Sequence, residues 1–210
     1  MPDQRKLRGS GAAIVHRSDV VELYYITPIG NVPSILKRGI LSNARASGIP
    51  HTSLAMEEIQ TIRTNKKVPG AQRLHSYANL YFDAHNPMLS RRREHNDTIC
   101  VLRISAAVLD LPDVIVADSN AASDYVRFYR SAEGIASINK DKLFARYWTN
   151  SENAYERMAH KSLKCAEVLV PEAVEPNYIT GAYVANQTAL ANFAALNTGL
   201  TVCIRSDMFF

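Results

Sequence analysis

Strand-like runs recur along this chain without the regular helical spacers of a doubly wound sheet. They lie at 20–27, 79–82, 98–105, 114–117, 167–170, 179–184 and 201–205. Helices are expected at irregular intervals between them: 31–39, 53–64, a turn or more from Asn86-Pro87 into Arg91-Arg92-Arg93, 151–164 and 186–196. Asn31, Asn86 and Asn186 stand where helix caps belong, Pro33 and Pro87 fall in first turns, and Gly39 closes the first helix. Residues 42–52 are small and polar and read as a loop. Strands and helices mixed in this way point to an α+β fold, since a parallel sheet needs βαβ alternation. There is no internal repeat.

The chain has 210 residues, 47% apolar and 21% charged. That length suits one domain, which buries roughly 70% of its unfolded surface and needs no staple. Residues 1–19 are polar and read as a flexible arm, leaving 20–210 as a single domain. No apolar run approaches the ~20 residues of a membrane helix, so no membrane partner is expected. The opening residues do not read as a signal peptide. Cys100, Cys165 and Cys203 are too scattered for a disulfide framework or a zinc site. Cys100 and Cys203 fall in strand-like runs and read as small core residues, consistent with a reducing, cytoplasmic setting. A net charge of +4 fits an anionic partner.

Several chemistries drop out. The six histidines never pair at i, i+4, and no carboxylate completes a metal triad, so no metal is expected. The glycine loops of P-loop and dinucleotide-binding folds and the nucleophile elbow of serine hydrolases are absent. The cations are more informative. Arg63, Lys66 and Lys67 share a face if their helix persists, and Arg157, Lys161 and Lys164 form a stripe at i, i+4, i+7. Arg91-Arg92-Arg93 adds a third cluster, and Tyr77, Tyr81, Tyr125, Tyr129, Tyr147 and Tyr155 interleave with these. Cations for phosphates and aromatics for bases are the means of holding a single strand. Solvated helix faces over core tyrosines fit the same pattern. Glu167 opens a strand whose alternation sends Val168 and Val170 to one face and Glu167 with Leu169 to the other. An edge-strand glutamate in water is the simpler reading of those residues alone.

A family pattern bears on both questions. Tyr24-Tyr25-Ile26-Thr27 with Asn31 and Gly39 comes first, followed by Ile59-Gln60 through Arg63 to Val68-Pro69. Leu80-Tyr81-Phe82 with Asn86-Pro87-Met88-Leu89, Phe128, Ala166-Glu167-Val168-Leu169-Val170, and Ile204 to Phe210 follow in order. From about Val21 onward the chain resembles the DarT-type DNA ADP-ribosyltransferase toxins.

The resemblance implies an ADP-ribosyltransferase-like core: two small antiparallel sheets around an NAD⁺ cleft, with flanking helices. It implies transfer of ADP-ribose from NAD⁺, as co-substrate, to thymine or guanine of single-stranded DNA, and a cognate antitoxin that removes it. By position, Glu167 and Arg63 resemble the catalytic residues, and Tyr24, Tyr25, Ile26, Thr27, Leu41 and Arg63 the NAD⁺ contacts. The loop from Ser42 to Lys66 resembles the cover over NAD⁺, and 120–167 the DNA-facing region. Lys66, Lys67, Asn120, Arg157, Lys161 and Lys164 are the expected nucleic-acid contacts. Tyr25 and Asn120 stand where relatives often carry histidine, and Asn79-Leu80 replaces a Pro-Phe pair. These positions bear on which base is modified. Transfer to RNA or protein, or a binding module without catalysis, are the alternatives.

Overall fold

The computed structural model describes residues 13–210. The chain enters β1 (Glu22–Pro28) and turns into α1 (Val32–Arg38), which leads to β2 (Ile40–Leu41) and α2 (Asn43–Ala46). After a loop come α3 (Glu57–Asn65), β3 (Tyr77–Tyr81), α4 (Pro87–Ser90) and β4 (Ile99–Ser105). β5 (Ile115–Ala117) and β6 (Phe128–Arg130) are followed by α5 (Ser131–Ser137), α6 (Lys140–Leu143) and α7 (Ala154–Leu163). β7 (Glu167–Pro171), β8 (Ala173–Val174), β9 (Ile179–Val184), α8 (Gln187–Ala194) and β10 (Val202–Ile204) complete the domain. No described helix is long and apolar enough to cross a membrane.

The α+β class holds, and the sheets differ in detail from the expected pair. One eight-stranded sheet runs β10-β9-β4-β1-β3-β7-β5-β6, with β2 and β8 as a separate two-stranded ribbon. β1 pairs with β4 over its whole length but meets β3 only where Tyr24 faces Tyr81. The large sheet is therefore two four-stranded halves hinged on one residue pair. Because the halves diverge beyond that pair, a cleft opens between them. β10 also joins β9 in parallel, so the sheet is mixed.

One face of the sheet carries the main core, with Leu23, Leu80, Leu102, Val116 and Val168 packed together from both halves. Gly39 makes the turn from α1 into β2 possible. Its φ is +84°, and a Cβ there would lie 2.4 Å from the Val174 carbonyl oxygen. Gly134 lets α5 sit directly on β5, where a Cβ would meet Val116 at 2.4 Å.

Two expectations are corrected. Val15 is wholly buried, its N–H bonds to the Ile138 carbonyl at 3.1 Å, and Lys140 pairs with Asp19 at 2.7 Å. Residues 13–19 thus belong to the domain, because an apolar side chain among polar neighbours finds a pocket beside α5 and α6. The rest of the expected arm, 1–12, lies outside the described residues. Cys203 is exposed rather than core. It lies on β10, an edge strand whose alternation turns Val202 and Ile204 toward the core instead.

Candidate active site

Glu167 is the first residue of β7, paired across to Tyr81 on β3 and Ala117 on β5. Flanked by strands on both sides, it is 1% exposed. The expected alternation holds: Val168 and Val170 enter the main core, and Leu169 packs with Tyr77 and Ala117 on the opposite face. Glu167 is therefore no edge glutamate in water. Strand pairing, invisible in a four-residue run, puts it in the interior.

An ionised carboxylate so placed must be matched. Arg63, in the last turn of α3, donates from both arms of its guanidinium to the two carboxylate oxygens, each at 3.1 Å. The Ala121 N–H donates to Oε1 at 2.9 Å. Burial works against the Arg63 charge, but the facing Glu167 carboxylate outweighs it and raises the Arg63 pKa. Burial, then Glu167, push the Tyr81 phenol well above its ordinary value. The same two causes lift the Cys165 thiol to about 12, leaving it a protonated, inert neighbour.

Glu167 stands at the head of a cavity of about 560 Å³, in the range of small-molecule sites. Tyr25, Ile26, Thr27 and Leu41 line it, as does Asn120. Residues of segment 42–66 line one wall, and the segment is pinned near its middle. Asn31 does not cap α1 as expected: its Nδ2 donates to the Thr52 carbonyl at 2.8 Å, and its Oδ1 accepts from the Thr52 N–H at 3.1 Å. Arg92 Nε donates to the Leu54 carbonyl at 3.1 Å from the opposite wall. Asn31 is free to do this because its own backbone is helical, carried over from the turn at Ile29–Asn31, and Pro33 leaves one fewer N–H to cap. Asn31, Tyr81 and Arg92 were singled out in the sequence for other roles, as a cap, a stacking aromatic and part of a cation cluster, and Ala121 was not singled out at all. A backbone N–H such as that of Ala121 carries no signal in a sequence.

Other expected contacts are redistributed. Tyr24 turns away from the cleft, its hydroxyl donating to Glu22 at 3.2 Å, because alternation along β1 sends it to the face opposite Tyr25. α3 ends at Asn65, so Arg63, Lys66 and Lys67 do not share a face. Arg63 is buried, Lys66 donates to the Ser123 carbonyl, and Lys67 is exposed. The α7 stripe splits in the same way. Arg157 donates to the Ser151 and Glu152 carbonyls at 2.8 and 2.7 Å, Lys161 is exposed on the cleft rim, and Lys164 is wholly buried against Asp83. Helical spacing set their relative angle; which side met the protein was decided by the packing of α7. Tyr125, Tyr147 and Tyr155 are exposed, whereas Tyr77 is core. No group of three or more His, Cys, Asp or Glu among the described residues is placed to hold a metal ion.

Known proteins resemble this chain over most of its length. Residues 24–210 match the family model described as "ssDNA thymidine ADP-ribosyltransferase, DarT". A DNA ADP-ribosyl transferase–DNA ADP-ribosyl glycohydrolase fusion protein of Thermosipho africanus (strain H17ap60334) is 32% identical over 90% of this chain. The chain spans 49% of that relative's length. A DNA ADP-ribosyl transferase of Thermus sp. (strain 2.9) is 31% identical over 72% of this chain and 75% of its own. Among solved structures, Thermus sp. 2.9 DarT in complex with ADP-ribosylated ssDNA superposes with a TM-score of 0.75 at 26% identity. That likeness covers 94% of this chain and all of the other. Thermosipho africanus DarTG in complex with ADP-ribose gives 0.76 at 30% identity, covering 90% of this chain and 51% of that one.

Proposed function

The chain belongs to the DarT family, and on that premise we propose that it transfers ADP-ribose from NAD⁺ to a thymine of single-stranded DNA. The observation that carries this reading is Glu167, a carboxylate held by an arginine fork at the head of a dinucleotide-sized cleft. NAD⁺ lies along Tyr25, Ile26, Thr27 and Leu41, under the segment that Asn31 and Arg92 pin.

Transfer breaks the bond between nicotinamide and the ribose C1′, and the electron pair leaves with nicotinamide. The ribose then carries oxocarbenium-like positive charge, as in glycoside cleavage. Glu167, close to that charge and bonded to a ribose hydroxyl, stabilises the transition state more than the bound substrate. Arg63 is no proton acceptor, since a guanidinium stays protonated. Its charge is already matched by Glu167, so it orients that carboxylate. The diphosphate falls to Arg38 and Arg91, exposed cations on the cleft rim. In a DNA strand thymine has a single N–H, at N3. That nitrogen forms the new bond to C1′ and gives up its proton to the Glu167 carboxylate, and Asn120, which lines the cleft beside Ala121, meets the base. None of these steps calls for a metal.

On this reading Lys67 and Lys161 meet phosphates, while Lys66, Arg157 and Lys164 serve the fold. A paired glycohydrolase that removes ADP-ribose follows from the Thermosipho relative, whose name joins the two activities. The protein would then be the toxin of a toxin–antitoxin pair, acting in the cytoplasm where NAD⁺ and DNA meet. Incubation with NAD⁺ and single-stranded oligonucleotides containing either thymine or guanine as the only reactive base tests this. Mass spectrometry should find one ADP-ribose added to the thymine strand. Labelling of the guanine strand alone overturns the base, and labelling of RNA or protein alone overturns the substrate class.

A further inference from the structure

A lysine is almost never fully buried unless paired, and Lys164 is 0% exposed. Its Nζ donates to Asp83 Oδ2 and to the Leu143 carbonyl at 2.7 Å, the latter ending α6. Taking an ammonium and a carboxylate out of water costs more than their attraction commonly returns, so such a pair is weak evidence for stability. Its place in the topology suggests another use. β3 and β7 pair from Tyr77 opposite Pro171 to Tyr81 opposite Glu167, which is the last rung of the ladder. Asp83 lies two residues past Tyr81, and Lys164 three residues before Glu167. The ion pair closes the open end of the ladder, just beyond the rung that carries Glu167.

Asp83 is itself held. Its Oδ1 accepts from the His85 N–H at 2.9 Å, and its carbonyl accepts from Asn86 Nδ2 at 2.8 Å. Asn86 in turn caps α4, which carries Met88 into the cleft wall. Lys164 thus ties the β7 entry to β3, α4 and α6 together. Register matters here more than elsewhere in the sheet. A one-residue slip would turn Glu167 to the face now occupied by Val168, away from Arg63 and Ala121.

We propose that the buried Lys164–Asp83 pair is a register lock, a positioning device that holds Glu167 on the cleft face of β7. Its catalytic consequence rests on the reading of Glu167 above; the lock itself does not.

The test compares the wild-type chain with Lys164→Met and with Lys164→Met combined with Asp83→Asn. The double variant leaves no orphan charge and keeps an oxygen for the His85 N–H, so it folds even where the single variant does not. Thermal unfolding, the KM for NAD⁺, kcat on a single-stranded thymine oligonucleotide and backbone amide exchange are measured well below the unfolding transition. The double variant should keep the KM and lose about 10²-fold in kcat, the cost of a reacting group displaced by about 1 Å. Amides near Tyr81 and Glu167 should exchange faster while those near Tyr77 and Pro171 stay protected. A folded double variant with unchanged exchange at the Glu167 end overturns the lock. So does a change in KM alone. Wild-type protein that labels no oligonucleotide overturns the proposed function instead, and the exchange measurement still decides the lock.

Discussion

Glu167 and Arg63 are separated by 104 positions in the chain and by 3.1 Å in the fold. Both are buried, and each charge is matched there by the other. That mutual dependence makes a simple alanine scan ambiguous, since removing one partner leaves a buried charge and costs about 3–5 kcal/mol. Glu167→Gln should therefore unfold at lower temperature and lose roughly 10²–10³ in transfer rate. Adding Arg63→Met removes the orphan guanidinium and should restore the unfolding temperature without restoring transfer. Calorimetry beside a rate assay separates the two effects; activity returning with stability would take Glu167 out of the chemistry. Lys164 shows the converse. Its spacing matched a phosphate-gripping stripe, but a wholly buried ammonium cannot meet a strand.

Among elements, the segment from β2 through α3 has the most to do with the substrate and the least regular structure. Its two helices are short, and its middle is held by side chains reaching across the cleft rather than by a ladder. Asn31 makes two of those contacts. Asn31→Ala should release the wall and weaken substrate binding by about 1–2 kcal/mol, the net worth of two hydrogen bonds, or roughly tenfold in KM for NAD⁺. Since the segment's grip is uniform between ground and transition states, kcat should hold. Steady-state kinetics in which kcat fell at constant KM would mean that the wall shapes the transition state instead.

At the scale of the molecule, the cleft exists because the sheet comes apart. A continuous ladder between β1 and β3 would leave no room beside Glu167, whereas one pair, Tyr24 with Tyr81, keeps the halves joined. The carboxylate then lies recessed in the cleft, 1% exposed. A base inside a duplex cannot reach it without leaving its stack, which costs a few kcal/mol. Single-stranded thymine oligonucleotides should be labelled, and the same sequence annealed to its complement should be nearly inert. Equal labelling of the two, read by mass shift, would mean that chemistry takes place at a surface rather than in this cleft.

Local patterning in the chain determined which segments were strands, because alternation and β-branched runs are properties of a few neighbouring residues. It determined the faces of β7, so that Glu167 was already set apart from Val168 and Val170. The order of motifs from Tyr24 to Phe210 determined the family. Burial was beyond it. Whether Glu167 meets water depends on β3 and β5 lying on either side, and whether Lys164 meets phosphate depends on Asp83 and Leu143. Short strands and helices escaped for the same reason. The two-residue β2 and β8 are strands only because each finds the other across more than a hundred positions. Helix α3 stops at Asn65, before Lys66, whose side chain finds the Ser123 carbonyl. Those outcomes depend on long-range pairing, and a local window of sequence contains no partner from which to read it.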